Sequence, residues 1–484
     1  MAAANGFAEQ YGLFIESWEN KLFEPYEAEA PLLTDAKFVP REQLGGLFHV
    51  PLRATTEAGI TTTAAQSTAG DGTLPYVGAR NGYIPDWQIE APQIDGRSRV
   101  KYEAIARSMK DINASEPDKK KAVRDATSVV VDGLLGQAIK RSEAWMLHGR
   151  RGIGQAAACS SVVAASTVAG NELANPFDGN IAGFVIDIEF TTASWIEGIW
   201  IQSEGASFDF FANTAGVPSG ARLNTTANAV FTGIGVNQTG LVLTMVNPPT
   251  PQAGLTNGNT RVCRFWHTSG TAGGTGVGII GAVTFVQAST AHVCFESGGP
   301  ASEYISLSTM ASNTGTLFGV SGATYSVARG NADAAAGNIK LADLVRRLSR
   351  PINKGAKGKT MRAVVPTELF AQFANDEATL RRLSATVAKS KGGVGALEMH
   401  LPHGGTLEIF GHSLQKDGEI LSYVPKEVIR VGSQDLEMIE RGKSKQVYVL
   451  EVAQSPASEM RCFGQYAPLA FAPCHMLWLG GVTY

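Results

Sequence analysis

Lysine is missing from a long central part of this chain. None occurs between Lys140 and Lys340, and residues 160–330 carry only 13 charged side chains. Over all 484 residues, 41 basic and 44 acidic side chains leave a formal net charge of −3. This balance argues against a protein that is held to nucleic acid by bulk positive charge.

Cysteine is also scarce, and its spacing carries no redox or zinc motif. The five cysteines are odd in number and form no C-x-x-C pair, which favours reduced thiols over a disulfide framework. No apolar run reaches the length of a membrane span, and the first residues lack a basic region followed by an apolar core. We therefore expect a protein made in the cytoplasm with no membrane partner.

Nucleotide and metal motifs are incomplete. Residues 274–278 read GTGVG, but the third glycine of a dinucleotide loop and the acidic residue after it are absent. His400 and His403 are separated by Pro402, which prevents the one-face helical geometry of a zinc motif. His412 brings no carboxylate or thiol at a suitable spacing. The sequence therefore predicts no cofactor-binding residue, no metal ligand and no cofactor.

A nucleophile is not indicated either. Cys474 and His475 are adjacent on a predicted strand, where their side chains should diverge, and no other cysteine has a neighbouring histidine. We predict no catalytic residue and no enzyme activity. The strongest basic cluster surrounds the end of a predicted helix. Charges there are usually solvated, and the alternatives are that the cluster faces nucleic acid or an acidic subunit surface. The cluster comprises Arg346, Arg347, Arg350, Lys354, Lys357 and Lys359.

The most regular element is one long amphipathic helix, predicted over residues 115–149. Ser115 is a suitable N-cap, Pro117 stands where a missing N–H costs nothing, and Gly149 is a natural end. About 34 residues at about 1.5 Å each give a rod of roughly 50 Å. Its apolar stripe repeats every four residues, at Ala122, Ala126, Val130, Leu134 and Ala138, and cationic side chains favoured by the helix dipole gather near its end, at Lys140, Arg141 and His148.

Two segments before this helix look exposed. Residues 5–27 place aromatic and aliphatic side chains on one face of a short helix, which either docks on its own domain or packs on a neighbouring subunit. Residues 28–41 look extended and irregular. Residues 46–50 and the alternating stretch 97–109 predict a two-stranded arm with a Thr/Ala/Gly-rich tip. Such a ribbon needs a partner surface, because alone it buries too little.

After the long helix the chain predicts short strands joined by Gly, Asn and Pro turns. We interpret roughly 205–300 as an inserted β-rich module. Mixed helices and strands follow. Helices are predicted at 339–350, from Thr367 and again from Asp376, and strands at 361–365, 405–410, 419–424 and 446–452, with a buried strand at the end of the chain.

Taken in order, these parts resemble the major capsid proteins of tailed bacteriophages. The resemblance is carried by KYEAIARSM before the long helix, SEAWMLHGRRGIG at its end, TTASWIEGIWIQSEGASFDFF, and GTLFGVSGATYSVARGN. It implies an α+β chain with the Hong Kong 97-like shell fold plus an added β-rich module. The implied division is an N-terminal arm (1–45), an extended loop (46–112), the spine helix and peripheral domain (113–204), the β-rich module (205–300), and the axial domain with the remaining peripheral strands (301–484).

The resemblance also implies partners and a place. Copies of the chain would form pentamers and hexamers of an icosahedral shell that encloses double-stranded DNA without reading its sequence. Assembly would occur in the host bacterial cytoplasm and the product would be the virion capsid, with a portal and an optional decoration protein. No lysine lies between Lys37 and Lys101, so cross-linking through a loop lysine is not expected. No charged helical extension precedes the arm, so the resemblance implies a separate scaffolding protein or none.

Two other classes remain open. An encapsulin-like compartment shares the shell fold and would package enzymes instead of a genome. A β-rich virion binding or decoration protein is the second alternative, against which the long helix and the α/β C-terminal part argue.

Overall fold

The computed structural model describes residues 30–55, 82–101, 133–159, 184–200, 303–380, 396–401, 404–437, 449–451 and 457–484, together with seven separate strands between 207 and 295. Several predicted features lie outside these residues: the helix within 5–27, positions 115–132 of the long helix, most of the loop tip, residues 274–278 and His403. No helix in the described part of the chain is long and apolar enough to cross a membrane.

A six-stranded mixed sheet forms one half of the α/β part. Met361–Val365 runs parallel to Thr406–Gly411 and antiparallel to Glu419–Tyr423. Alternating inward side chains form an apolar core with two helices, Leu341–Pro351 and Thr367–Leu380. The strand order is Ala332–Asp333, Leu477–Gly480, Glu419–Tyr423, Met361–Val365, Thr406–Gly411 and Ala396–His400.

The second of these helices is longer than predicted. A new helix was expected from Asp376, but the helix that begins at Thr367 continues through that position to Leu380. No Gly or Pro interrupts this stretch, and one aspartate inside a helical sequence is too weak a signal to end the helix. The other helix passes its expected end by one residue, and its following turn, Ile352–Ala356, uses Gly355 at φ 123°.

The long helix packs on a five-stranded sheet. Its described part spans residues 133–147. The central strand is Ala457–Ala470, which pairs with Val428–Glu437, Val449–Glu451 and Gln93–Lys101. A Cβ on Gly96 would lie 3.4 Å from Leu134 Cδ1, so the helix rests directly on the strand. Lys37–Pro40 completes the sheet, parallel to Val428–Glu437.

The arm differs from the prediction. Leu47–Pro51 pairs with Asp86–Ile89 and with the short strand Gln43–Leu44, not with the stretch after residue 97. Gln93–Lys101 instead joins the five-stranded sheet. Pro92 stands between the two strands, and a residue without an N–H interrupts a ladder.

The segment 30–40 is also more ordered than the irregular chain we expected. It forms a short helix, Pro31–Asp35, before the parallel strand Lys37–Pro40. Alternation within four or five residues is too short to reveal either element in the sequence.

The β-rich part forms a closed circuit of six antiparallel strands. Phe231–Asn237 pairs with Val242–Asn247 on one side and with Ser207–Thr214 on the other, which closes the ring. Two of its strands, Gly154–Cys159 and Phe184–Phe190, precede the module boundary that we placed at 205. Strands from both sides of the proposed boundary pair with each other, because an antiparallel ladder depends only on which strands lie side by side. The domain division itself stays a prediction. The circuit is completed by Ala291–Phe295, with Val217–Arg222 on its edge and a separate ribbon of Val262–Trp266 and Ile279–Thr284.

Short elements connect these sheets. Two small helices, Glu197–Trp200 and Leu307–Ala311, bury most of their residues. The minor strand pairs are Thr316–Leu317 with Val320–Ser321 and Gly337–Asn338 with Val482–Thr483. Short 3-10 turns occur at Gly149–Arg151, Thr192–Ser194, Ser326–Ala328, Pro425–Glu427 and Pro473–His475.

Candidate functional site: a polar joint at the end of the long helix

Glu143 lies on the long helix with its side chain fully buried. Its carboxylate accepts the backbone N–H groups of Leu32 at 2.8 Å and Leu33 at 3.0 Å. These are free donors in the first turn of helix Pro31–Asp35, which has no side-chain cap of its own. A carboxylate at that end also suits the helix dipole. Glu143 therefore caps a helix more than a hundred positions earlier in the chain.

His412 reaches the same carboxylate from the six-stranded sheet. Its Nε2 lies 3.1 Å from Glu143 Oε1, and its Nδ1 lies 3.0 Å from the Leu414 nitrogen. Since the Leu414 N–H donates to Nδ1, the ring proton is on Nε2, and Nε2 donates to Glu143. The ring is therefore fixed in one tautomer.

His148, at the end of the long helix, forms a hydrogen bond with the turn that contains His412 and Leu414. Its Nε2 donates to the Leu414 carbonyl at 2.9 Å. Complete burial, together with the nearby Lys416 ammonium, lowers the pKa of His148 from 6.5 to about 3. The side chain is neutral, so the expectation that it serves as a cation for the helix dipole is wrong. We call Glu143, His148, His412 and Leu414 the polar joint.

The turn that begins in the polar joint continues into a buried ion pair. Lys416 Nζ lies 4.0 Å from Glu419 Oε1, and Trp478 Nε1 donates to Glu419 Oε2 at 3.0 Å. Burial alone would raise the pKa of Glu419, but Arg151 and Lys416 outweigh it and lower that pKa to about 2. Glu419 is therefore ionised throughout the physiological range.

Asp417 in the same turn has the opposite shift. Its backbone N–H donates to the Trp195 carbonyl at 3.2 Å, so the turn is held against the segment that leads to the β-rich part. Burial raises the pKa of Asp417 from 3.8 to about 7, and the carboxylates of Glu197 and Glu368 add to the rise. The phenol of Tyr484 belongs to this group, with its own pKa raised by burial, Asp417 and Glu368.

Arg362 fixes segment 30–40 to the six-stranded sheet. Its Nη1 pairs with Asp35, and its Nε donates to Glu408 Oε2 at 2.6 Å. Tyr423 donates its hydroxyl to the same Asp35 carboxylate at 2.9 Å. These hydrogen bonds raise the pKa of the guanidinium in spite of its partial burial. The short helix is thus held at its start by the long helix and at its end by the sheet.

The structure places the histidine and cysteine candidates in separate parts of the fold. His400 is exposed, whereas His412 is in the polar joint. Cys474 and His475 do not diverge on a strand: they lie in the 3-10 turn Pro473–His475, and hydrogen bonding to Cys474 and Glu427 raises the pKa of His475 to about 9. In this turn consecutive side chains are about 120° apart, whereas on a strand they point to opposite faces.

The His475 ring is already engaged at both nitrogens. Nδ1 lies 2.8 Å from Glu427 Oε2 and Nε2 lies 3.2 Å from the Lys354 carbonyl. These two contacts join the turn Pro473–His475 to the turns that contain Glu427 and Lys354.

The basic cluster is mostly paired with neighbouring acids, not gathered into one patch. Arg347 pairs with Asp333 and Lys359 with Glu427. Arg346 pairs with Asp343 on its own helix, and Lys354 donates to Asn331 Oδ1 at 2.6 Å. Among the residues that the structure describes, no group of three or more His, Cys, Asp or Glu side chains could hold a metal ion.

Sequence reasoning missed Glu143 and the turn 412–419. One signal was present: a glutamate inside an otherwise apolar stretch of the helix, SEAWMLHG, is rarely buried unless it is paired. Its partners lie 111 and 269 positions away, so the sequence could not identify them.

Comparisons with known proteins give similarity in structure alone. No protein-family model and no curated protein sequence matches the chain. The capsid asymmetric unit of cyanophage A-1(L) is similar over 96% of both chains, with 9% identity and a TM-score of 0.47. The capsid of the native GTA particle is similar over 96% of this chain and 93% of that chain, with 9% identity and a TM-score of 0.38.

A structure of Mycobacterium phage Adephagia is similar over 100% of this chain and 99% of that chain, with 9% identity and a TM-score of 0.39.

Proposed function

We propose that this chain is a major capsid protein of a tailed bacteriophage with the Hong Kong 97-like shell fold. Copies assemble into pentamers and hexamers of an icosahedral shell that encloses double-stranded DNA. The chain works as a structural protein of the virion, after assembly in the host bacterial cytoplasm with a separate scaffolding protein and a portal.

One observation supports self-assembly most directly. Among the described residues, the large hydrophobic side chains that are exposed are Leu44, Tyr83, Ile84 and Tyr484. The first three lie at the base of the extended loop, where Leu44 is 68% and Ile84 62% exposed. Exposed apolar side chains beside one pair of strands suit contact with another copy of the chain.

The connection above this base supports the same proposal. Strands Leu47–Pro51 and Asp86–Ile89 are paired, and residues 52–85 join them. A connection of this length between two paired strands far exceeds an ordinary hairpin loop, and long connections of this kind are usually functional. The proposal gives it the role of contacting neighbouring subunits.

The primary test measures mass and negative-stain images of the full chain, expressed alone and with candidate scaffolding proteins. Closed shells, capsomer rings or regular sheets are expected. A monodisperse monomer under both conditions would overturn the proposal. Nucleic acid inside purified shells is expected, and enzyme cargo in its place would identify an encapsulin-like compartment.

A variant pair sharpens the test. Leu44→Ser with Ile84→Ser should reduce particle yield while the circular dichroism spectrum stays that of the parent chain. Leu44→Ile with Ile84→Val keeps both side chains apolar, is the matched control, and should leave the yield close to normal. Equal yields from both variants would remove the loop base from the assembly surface.

A further inference from the structure

A cleft beside the polar joint is open to a ligand. It holds about 420 Å³ and lies where the stem of the β-rich part, helix Leu307–Ala311 and the edge of the six-stranded sheet meet. Arg151, Lys416, Glu419 and Trp478 line it, with small residues such as Gly480 leaving room. The volume is within the range of small-molecule sites.

Arg151 is the distinctive group of this cleft. Its guanidinium lies over the indole of Trp478, with Cζ 3.9 Å from the ring centroid. Nη1 makes two long contacts of 3.5 Å, to the Ser308 carbonyl and to Ser312 Oγ. In the described part of the chain, Nε and Nη2 have no hydrogen-bond partner. Stacking on the ring thus fixes the plane of the guanidinium and leaves one edge of its fork available.

The one acid among the described residues that line this cleft does not cancel its positive charge. Glu419 carries a single negative charge, which lies near both Arg151 and Lys416, so one positive charge remains. Burial raises the pKa of Glu419, but the nearby charges of Arg151 and Lys416 outweigh burial and lower that pKa, as positive surroundings do.

We infer that this cleft binds a small ligand through an oxyanion group, a phosphate or a carboxylate, which Arg151 grips with two parallel hydrogen bonds from its free edge. Lys416 supplies the second positive charge. A guanidinium fork matches both oxyanions in geometry, so the two ligand types share one recognition chemistry. The inference does not rest on the proposed function, because binding is measured whatever the assembly state.

The experiment is calorimetric titration of the full chain with inorganic phosphate and, separately, with succinate, each against chloride at equal ionic strength. Saturable binding of at least one is expected. Arg151→Lys keeps the charge but loses the fork, and should weaken the affinity about tenfold or more. Arg150→Lys is the matched control, since Arg150 pairs with Glu90 outside this cleft, and it should bind like the parent.

Binding of phosphate alone would identify a phosphate site, and binding of succinate alone a carboxylate site; either supports the inference. Absence of saturable heat with both ligands would overturn it. So would equal loss in Arg151→Lys and Arg150→Lys. Lys416→Gln provides a second variant in case Arg151→Lys fails to fold, and it should also weaken binding.

Discussion

Glu143 accepts a hydrogen bond from Nε2 of His412 across 3.1 Å, with both side chains sealed from solvent. The two residues are 269 positions apart in the chain. Because the same carboxylate caps helix Pro31–Asp35, three separate parts of the chain depend on one side chain. The long helix, the short helix and the segment that follows strand Thr406–Gly411 are thus joined through this one carboxylate.

Glu143→Gln should destabilise the chain by about 2–4 kcal/mol, because an amide offers one acceptor oxygen to three buried donors. Denaturant unfolding measures this. Faster hydrogen exchange at the Leu32 and Leu33 amides should accompany it. Glu90→Gln is the control, because Glu90 and Arg150 form an exposed ion pair. This change should cost about 1 kcal/mol or less. Equal losses would mean that the buried carboxylate is not the anchor.

His148 should make the chain sensitive to acid. Its pKa is about 3 in the folded chain against 6.5 when unfolded, so the unfolded chain binds more protons between these values. Stability from this residue is present above pH 6.5 and is lost as the pH falls toward 3. At pH 5 the loss is about 2 kcal/mol. His148→Gln should reduce the loss of unfolding free energy between pH 7.5 and pH 5, measured by urea unfolding at the two pH values. An equal loss in the variant and the parent would contradict a buried neutral imidazole.

Asp417 should make the chain less stable as the pH rises, which is the opposite of the effect of His148. Its pKa is about 7 when folded and 3.8 when unfolded, so the folded chain binds more protons and stability falls as the pH rises through this window. Asp417→Asn should therefore be more stable than the parent at pH 8, by about 1–2 kcal/mol after allowance for partial exposure, and equal near pH 4. Thermal unfolding at both pH values measures it.

Asp343→Asn is the matched control for this prediction, because Asp343 forms an exposed pair with Arg346 one turn away. Its effect should stay within about 0.5 kcal/mol at both pH values. A gain at pH 8 from Asp343→Asn as large as that from Asp417→Asn would show that general surface charge, not the local acidic group, sets the pH dependence.

Arg362→Met should cost about 2–4 kcal/mol, since it leaves the carboxylates of Asp35 and Glu408 partly buried without their cation. Limited proteolysis within residues 30–40 should become faster, because the short helix loses its attachment to the sheet. Arg346→Met removes an arginine whose side chain is 77% exposed, and should change neither stability nor cleavage. Protection of residues 30–40 equal to the parent would contradict the proposed attachment.

Much of the local structure could be predicted from the sequence. Met361–Val365 was predicted to the residue, and Leu341–Pro351 within two residues at either end, because their apolar periodicity is strong and each is bounded by turn residues. The arm strands were identified but paired wrongly. Pairing is decided by which edge is free in the folded chain, and period-two alternation does not encode the partner.

By itself, the sequence determined the low charge of the central part and the type of elements with strong apolar periodicity, such as Met361–Val365 and Leu341–Pro351, since these depend on composition and on contacts within a few residues. Tertiary structure alone decided that His148 is neutral, that Asp417 holds its proton near neutral pH and that Glu143 caps a distant helix. Each of these depends on burial and on charges brought from other segments. Desolvation and Coulomb interactions act through space, so the number of residues between two groups in the chain does not predict them.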